Sequence, residues 1–341
     1  GGLCQTLALL SEDLSCVDGA GSFSASYKNI SKAFLGVLEG ITSQYREDEK
    51  RTVAVRDKLR ELGFDALETV VCGERASRIF ISGLSPVPDR KRLLYLQKQL
   101  GRTLDCSLSL PTLSLDESGC LLYAERAHCF DVRAGVAMES CEGISGDTVR
   151  VFEDSGNHYS YVLICDGMGS GQEAALTSGV SAKMLERLLV SGVPVEEALG
   201  MLNGLLSFGR SSDAEISTTV DLLCLDKLTG RAVFLKSGAS PTYVKRGTNI
   251  FKLTGASMPM GILSLVDVKR LEFDTCDGDM IVQSSDGVTA GESECLWLLE
   301  YLNETDESDP ERMAEHIKRE AVQKGSVDDV SVVVTKIHQK F

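Results

Sequence analysis

The sequence predicts an α+β fold in two parts, a smaller helical/α+β domain at residues 1–127 and a larger two-sheet domain at residues 128–341. The chain has 341 residues, which is longer than one ordinary domain. In the first part, apolar residues at helical spacing alternate with short apolar runs. From residue 130 short strand-like runs dominate, which is typical of two sheets packed face to face with helices outside.

The first part is predicted to follow the order α-β-β-α-β-β. Gly63 and Gly101 are expected to end its two helical segments, and Pro88 to open the second. The predicted elements are a loose lead-in at 1–25, one long helix or two in series at 27–62, strands at 66–72 and 78–82, a helix at 89–100, and strands at 104–110 and 120–127.

The second part is predicted to contain many strands and few helices. The helices are assigned where apolar residues recur every three or four positions, and the strands where short apolar runs end at turn residues. The predicted strands are 132–138, 159–165, 217–225, 232–236, 242–245, 268–273, 280–282 and 330–337, and the predicted helices are 171–190, 194–206 and 309–325.

The composition argues against several classes of function. The net charge is −15, so the chain is expected to bind neither nucleic acid nor an anionic membrane. The 11 cysteines are scattered without a Cys-x-x-Cys pair, and there are only 4 histidines. We therefore expect a reduced, cytoplasmic chain without structural zinc. No stretch approaches a membrane span or a signal peptide. The sequence leaves open a tether to the membrane through a region upstream of residue 1.

Four aspartates carry the chemistry that the sequence predicts. Asp147 lies in Ser-Gly-Asp, Asp166 in Cys-Asp-Gly-Met-Gly, Asp286 in Ser-Asp-Gly-Val and Asp328 in Val-Asp-Asp-Val. The last three adjoin apolar runs that are expected to be buried strands. A carboxylate there costs free energy unless donors or a cation satisfy it. Several such carboxylates with no basic residue beside them indicate Mg²⁺ or Mn²⁺, and so a metal-dependent enzyme.

Each of these motifs also has a purely structural interpretation. Asp166 begins a glycine-rich strand-to-helix turn, in which Gly167 can turn its carbonyl towards a cation while Asp166 bridges two. The same turn could simply be capped by the aspartate. Asp286 and Asp147 also fit ordinary turns, and Asp328 with Asp329 fits a solvated loop. The combination and order of the four favour the metal site.

Taken together, these motifs resemble the metal-dependent (type 2C) Ser/Thr protein phosphatases and, within them, the stage II sporulation protein E family. The resemblance covers about residues 130–338. It implies an αββα sandwich with two Mn²⁺ or Mg²⁺ ions at one end. Asp166 would bridge both ions, Gly167 would offer its carbonyl to one, and Asp286 and Asp328 would hold the other. Asp147 would lie close by, either as a ligand itself or in contact with the ligands, and Asp329 would be a supporting residue. The motifs that carry the resemblance are 145–147, 166–171, 217–222, 234–242, 258–262 and 328–329.

The resemblance also implies a function. We expect hydrolysis of phosphoserine on a protein substrate, a phosphorylated anti-anti-sigma factor that controls sporulation transcription, without a nucleophilic side chain. Residues 1–127 would be regulatory, and self-association as a homodimer is expected.

The sequence departs from the family pattern at two places. Gly146 stands where eukaryotic members carry an acid, and residues 139–144 contain no phosphate-binding arginine. The alternative from another class is a phosphatase-like sensor or scaffold with little turnover. A P-loop ATPase is excluded, because its glycine-rich lysine motif does not occur.

Overall fold

The computed structural model describes residues 46–340, apart from 74–77, 117–118, 142, 155, 157, 170, 209–215, 264–265 and 290–294. The described residues divide into two units, 46–128 and 129–340. The predicted lead-in at 1–25 and the first half of the predicted helix at 27–62 lie outside them. Within the described ranges, no helix is both long enough and apolar enough to cross a membrane.

The unit at 46–128 packs two helices against one face of a four-stranded antiparallel sheet of order β1-β2-β4-β3. Asp48 caps the first helix, because its carboxylate accepts a hydrogen bond of 3.0 Å from the backbone of Arg51. The order of elements is the predicted α-β-β-α-β-β, but the strand after the second helix lies at Thr112–Asp116 and not at the predicted 104–110. The elements are α1 Glu49–Glu61, β1 Glu68–Cys72, β2 Arg78–Ser82, α2 Arg90–Leu104, β3 Thr112–Asp116 and β4 Gly119–Glu125.

One predicted helix end and one predicted strand in this unit are wrong. Helix α2 does not stop at Gly101 but runs on to Leu104, and Asp105 in the left-handed region caps it. Gly101 is buried, and a Cβ there would lie 2.7 Å from the carbonyl oxygen of Cys106. The glycine therefore allows the chain to return closely past the helix instead of ending it. The predicted strand at 104–110 is absent, and Leu108 makes only a single bridge to Arg126.

The unit at 129–340 contains two five-stranded sheets, of order β11-β10-β13-β14-β5 and β12-β9-β8-β7-β6, with antiparallel pairing. Its elements are β5 Phe130–Glu139, β6 Asp147–Glu153, β7 Tyr159–Gly167, α3 Gly171–Val190, α4 Val195–Phe208, β8 Thr218–Asp226, β9 Arg231–Ser237, β10 Thr242–Arg246, β11 Asn249–Leu253, β12 Lys269–Asp274, β13 Met280–Ser284, α5 Asp286–Thr289, α6 Leu296–Glu304, α7 Pro310–Gln323 and β14 Val330–Gln339.

Three apolar layers hold this unit together. Helices α3 and α4 pack on the outer face of the β8 sheet, and α6 and α7 pack on the outer face of the β13 sheet. A third cluster lies between the two sheets. The expected αββα sandwich is therefore confirmed. Strands β6 and β11 and helices α5 and α6 were not predicted. Both strands are sheet edges, whose mixed polar and apolar residues give a weaker signal than the continuous apolar runs of central strands.

The space between the sheets changes character from one end to the other. Strand β7 turns Val162 and Ile164 into it, and alternation places Asp166 on the same face. Strand β8 turns Leu223 and Leu225 inward, and Asp221 follows on that face. The inter-sheet layer is thus apolar at one end and polar at the other. The polar end is where the predicted site residues meet.

Candidate active site

Asp147 and Asp166 face each other across adjacent strands. They are register partners at the paired ends of β6 and β7, which places their Cβ atoms about 5 Å apart. Asp147 is only 5% exposed, and one of its carboxylate oxygens, Oδ2, is buried without a hydrogen-bond partner among the described residues. The Thr218 hydroxyl donates a hydrogen bond of 2.7 Å to the Asp166 carbonyl oxygen, which fixes the backbone at this point.

Asp286 and Asp328 come from the opposite sheet. Asp286 opens the short helical turn α5 directly after β13, and Asp328 lies in the loop that leads into β14. The two segments cross closely at Gly287, where a Cβ would lie 2.1 Å from the carbonyl oxygen of Asp329. Ser285 ties them together, since its hydroxyl accepts a hydrogen bond of 2.9 Å from the Ser331 backbone. A side chain at position 287 would separate the two carboxylate-bearing segments.

Asp329 bridges this loop to the entrance of β6. Its carboxylate accepts a hydrogen bond of 2.6 Å from the Gly146 backbone and one of 2.8 Å from the Cys141 backbone. Both oxygens are therefore engaged by backbone N–H groups. This arrangement suits a residue that holds the β5–β6 loop beside Asp147.

Gly167 lies under the first turn of α3. A Cβ at this position would lie 2.1 Å from the carbonyl oxygen of Ala174, so glycine is required for the close approach of strand and helix. The Gly167 backbone donates a hydrogen bond of 3.1 Å to the Gly146 carbonyl. A Cβ on Gly146 would lie 3.6 Å from the Gly167 carbonyl oxygen, so this oxygen lies close to the residue that precedes Asp147.

The carboxylates raise one another's pKa. Desolvation first, and then the negative charge of Asp147 and of the other acids, raises the pKa of Asp166 to about 8. Desolvation raises the pKa of Asp147 to about 6, although the hydroxyls of Ser331 and Ser285 oppose the rise. The pKa of Asp286 is also raised, by desolvation and then by Asp328. The cluster therefore holds its negative charges at the expense of folding free energy.

The donor set fits a hard divalent cation. All the converging side chains offer carboxylate oxygens, and none of their ion pairs or hydrogen bonds among the described residues involves lysine or arginine. In those same residues, no three acidic, histidine or cysteine side chains approach closely enough to enclose an ion alone. The carboxylates thus form an open acidic cluster, in which backbone carbonyls, water or substrate oxygens would complete the coordination of any ion.

Sequence reasoning missed a buried ion pair beside this cluster. Lys236 is fully buried, and its ammonium lies 2.6 Å from the Asp221 carboxylate, which also accepts a hydrogen bond from Thr242. A signal was present, because each charge interrupts an apolar run, in Val-Asp-Leu-Leu and Phe-Leu-Lys-Ser. A charge within a buried strand must be paired, and two such strands are candidates to neighbour each other.

The chain is similar to known proteins over the larger unit. The sequence model of the stage II sporulation protein E (SpoIIE) family matches residues 156–338, which is over half of the chain. Stage II sporulation protein E of Bacillus subtilis (strain 168) is 32% identical over 217 residues. That alignment covers 61% of this chain and 26% of the relative, so the chain spans about a quarter of the relative's length.

Two solved structures share the fold. The phosphatase domain of SpoIIE from Bacillus subtilis, in a crystal form without domain swapping, is 29% identical with a TM-score of 0.50, over 63% of this chain and 96% of that chain. The PP2C phosphatase domain with a fragment of the regulatory domain of SpoIIE from the same organism has a TM-score of 0.69 at 23% identity. It covers 95% of this chain and 100% of that chain. The chain has the PP2C phosphatase fold and belongs to the stage II sporulation protein E family.

Proposed function

We propose that residues 128–341 form a metal-dependent protein serine/threonine phosphatase that hydrolyses phosphoserine on a protein. One observation carries the proposal: carboxylates from both sheets converge at the polar end of the sandwich and raise one another's pKa. Such a cluster is unfavourable in the absence of a cation and becomes favourable when one binds. The family and the PP2C fold support the same chemistry.

We infer that this set of oxygen donors would hold two Mn²⁺ or Mg²⁺ ions. Asp166 would hold both ions, the Gly167 carbonyl would serve one, and Asp286 and Asp328 the other, with Asp147 beside them. When bound, such ions supply a water of lowered pKa and offset negative charge on the phosphoryl oxygens. Carboxylate and carbonyl oxygens favour these hard ions over zinc.

The remaining side chains keep the carboxylates in place. Thr218 fixes the backbone of Asp166, and the Ser285 hydroxyl donates a hydrogen bond of 3.1 Å to the Asp329 carbonyl oxygen. Asp329 holds the loop before Asp147 through two backbone hydrogen bonds. These contacts hold the acids in a fixed arrangement before substrate arrives, which limits the reorganisation needed during the reaction.

The substrate that we propose is a serine-phosphorylated anti-anti-sigma factor, and membership of the sporulation family supports it. The test is phosphate release from that phosphoprotein and from a generic phosphoserine peptide, with Mn²⁺ and with EDTA. We expect metal-dependent release, faster from the phosphoprotein. Equal rates on both substrates would contradict the proposed substrate. No metal-dependent release from either would instead favour a phosphatase-like sensor or scaffold.

We also infer that residues 1–127 regulate the phosphatase unit, that the chain self-associates as a homodimer, and that it acts in the cytoplasm. Helix α3 begins at Gly171, four residues after Gly167. Gly169 and Gly171 both have positive φ, and the backbone can pivot at these glycines. Mn²⁺ affinity and turnover of the full chain and of residues 128–341 test the regulation, and sedimentation tests the homodimer. Equal affinity and turnover in two folded proteins would contradict the regulatory role.

A further inference from the structure

The buried pair of Lys236 and Asp221 has no part in the function proposed so far. Lys236 is 0% exposed and donates two hydrogen bonds of 2.6 Å, one to Asp221 Oδ2 and one to the Ser240 carbonyl. Asp221 is 2% exposed and accepts a further hydrogen bond of 3.2 Å from Thr242. The pair therefore joins β8 and β9 to the loop that leads into β10.

This pair lies directly behind the acidic cluster. Asp221 is the register partner of Ile164 on β7, and Asp166 lies two residues further along that strand on the same face. Diagonal neighbours of this kind have Cα atoms about 7–8 Å apart. From the opposite sheet, the Gln283 amide donates to the Asp221 carbonyl at 3.4 Å. Gln283 is two residues from Ser285, whose hydroxyl faces Asp147.

Stability alone explains such a pair poorly. Desolvation lowers the pKa of Lys236, and the charge of Asp221 only partly opposes it. Burying two charges often costs as much free energy as their attraction returns, and apolar residues of similar volume serve the core as well. At the same time, Asp221 is a diagonal neighbour of Asp166 on the same face of the sheet, and in a poorly solvated layer a charge this close acts strongly on a cation that Asp166 would hold.

We propose that Asp221 and Lys236 are positioning residues that set the affinity of the acidic cluster for divalent cations, an inference that rests on the proposed phosphatase function. Paired, they present no net charge to the site. With Asp221 neutralised, the ammonium of Lys236 would repel a cation held by Asp166. With Lys236 neutralised, the carboxylate of Asp221 would attract it. Removing both charges would again leave the pair with no net charge, so the affinity for the cation should return to that of the wild type.

The test is the Mn²⁺ dissociation constant of the full chain, measured by calorimetric titration at pH 6.5 to keep the ammonium protonated. We expect Asp221→Asn to bind Mn²⁺ roughly tenfold more weakly and Lys236→Met roughly tenfold more tightly. The double variant should return to within about twofold of the wild type. A purely structural pair would instead give weaker binding in both single variants, with no recovery in the double variant.

Lys227→Met is the matched control. Lys227 is a second buried lysine, 2.7 Å from Glu153, and it lies about 20 Å along β8 from Asp221 by strand rise. The same loss of charge there should leave Mn²⁺ affinity within about twofold, since the charge is distant from the site.

The results distinguish a failure of the proposed phosphatase function from a failure of the inference about Asp221 and Lys236. A wild type that binds no Mn²⁺ would overturn the proposed function and this inference with it. Mn²⁺ binding that is unchanged in Asp221→Asn, or weakened there and not restored in the double variant, would overturn only the inference. If Lys236→Met does not fold, Asp221→Asn and the double variant still decide.

Discussion

Replacing Asp166 by asparagine should stabilise the metal-free protein while abolishing its activity. The pKa of Asp166 is raised from 3.8 to about 8 by desolvation and by the neighbouring acids. An acid whose pKa is raised on folding binds its proton more tightly in the folded state. Its stabilising contribution is therefore complete below about pH 4 and is lost as the pH rises through about 8. At pH 8 the metal-free wild type carries most of this penalty.

The size of the effect follows from the pKa. Each pH unit between 3.8 and about 8 corresponds to about 1.4 kcal/mol, so the ceiling is about 6 kcal/mol. Part of the repulsion is shared with Asp147, and the asparagine amide is still a desolvated polar group. We therefore expect Asp166→Asn to gain about 2–4 kcal/mol at pH 8, and much less at pH 5.5.

The assay is urea unfolding in EDTA at pH 5.5 and pH 8, followed by the fluorescence of Trp297, the single tryptophan of the chain. Asp306→Asn is the matched control, because it removes the same charge from an exposed position outside the cluster and should change stability by less than about 0.5 kcal/mol. The reasoning is refuted if Asp166→Asn unfolds at the same or a lower urea concentration than the wild type at pH 8.

Three further predictions concern the same site. Gly167→Ala should lose about 2–4 kcal/mol and most activity, because its Cβ would lie 2.1 Å from the Ala174 carbonyl oxygen; unchanged thermal unfolding would contradict this. Gly179→Ala is the control: Gly179 lies on α3, its Cβ would come no closer than 3.9 Å to Thr148, and the substitution should gain about 0.5–1 kcal/mol of stability. Asp286→Asn should keep its circular dichroism spectrum and lose turnover at saturating Mn²⁺, so an active variant would remove Asp286 from the metal ligands. Dialysis against EDTA should abolish activity and Mn²⁺ or Mg²⁺ should restore it, whereas activity that survives would exclude the metal mechanism.

The central strands and the long helices could be predicted because their signals are local. A buried strand such as β14 is a continuous apolar run, and α3 repeats its apolar residues at helical spacing. The edge strand β6 had no such signal, yet it determines where Asp147 lies. Its register with β7, which places Asp147 opposite Asp166, depends on pairing between segments that the local sequence does not specify.

The polar layer shows the same limit in another form. Asp221 and Lys236 are both visible in the sequence as isolated charges in apolar runs, but only the antiparallel register of β8 and β9 makes them partners. Gly101 is the opposite case: the sequence predicts that this glycine ends a helix, whereas in the structure it permits a close backbone contact inside the helix. Local chemistry thus indicated which residues were unusual, and the tertiary structure decided what each one does.

The division of the inter-sheet layer explains how the fold can hold so unfavourable a cluster. At the apolar end, a cluster that includes Phe234 and Ile337 joins the two sheets without any contribution from the site residues. The helices bury two further apolar layers on the outer faces of the sheets. These layers supply the free energy that the acidic cluster removes. A cation that binds only the folded cluster would return part of that loss by linkage. If the cluster binds Mn²⁺, the raised pKa of Asp166 and the gain in stability on adding Mn²⁺ should have the same cause, so a variant that loses one should lose the other.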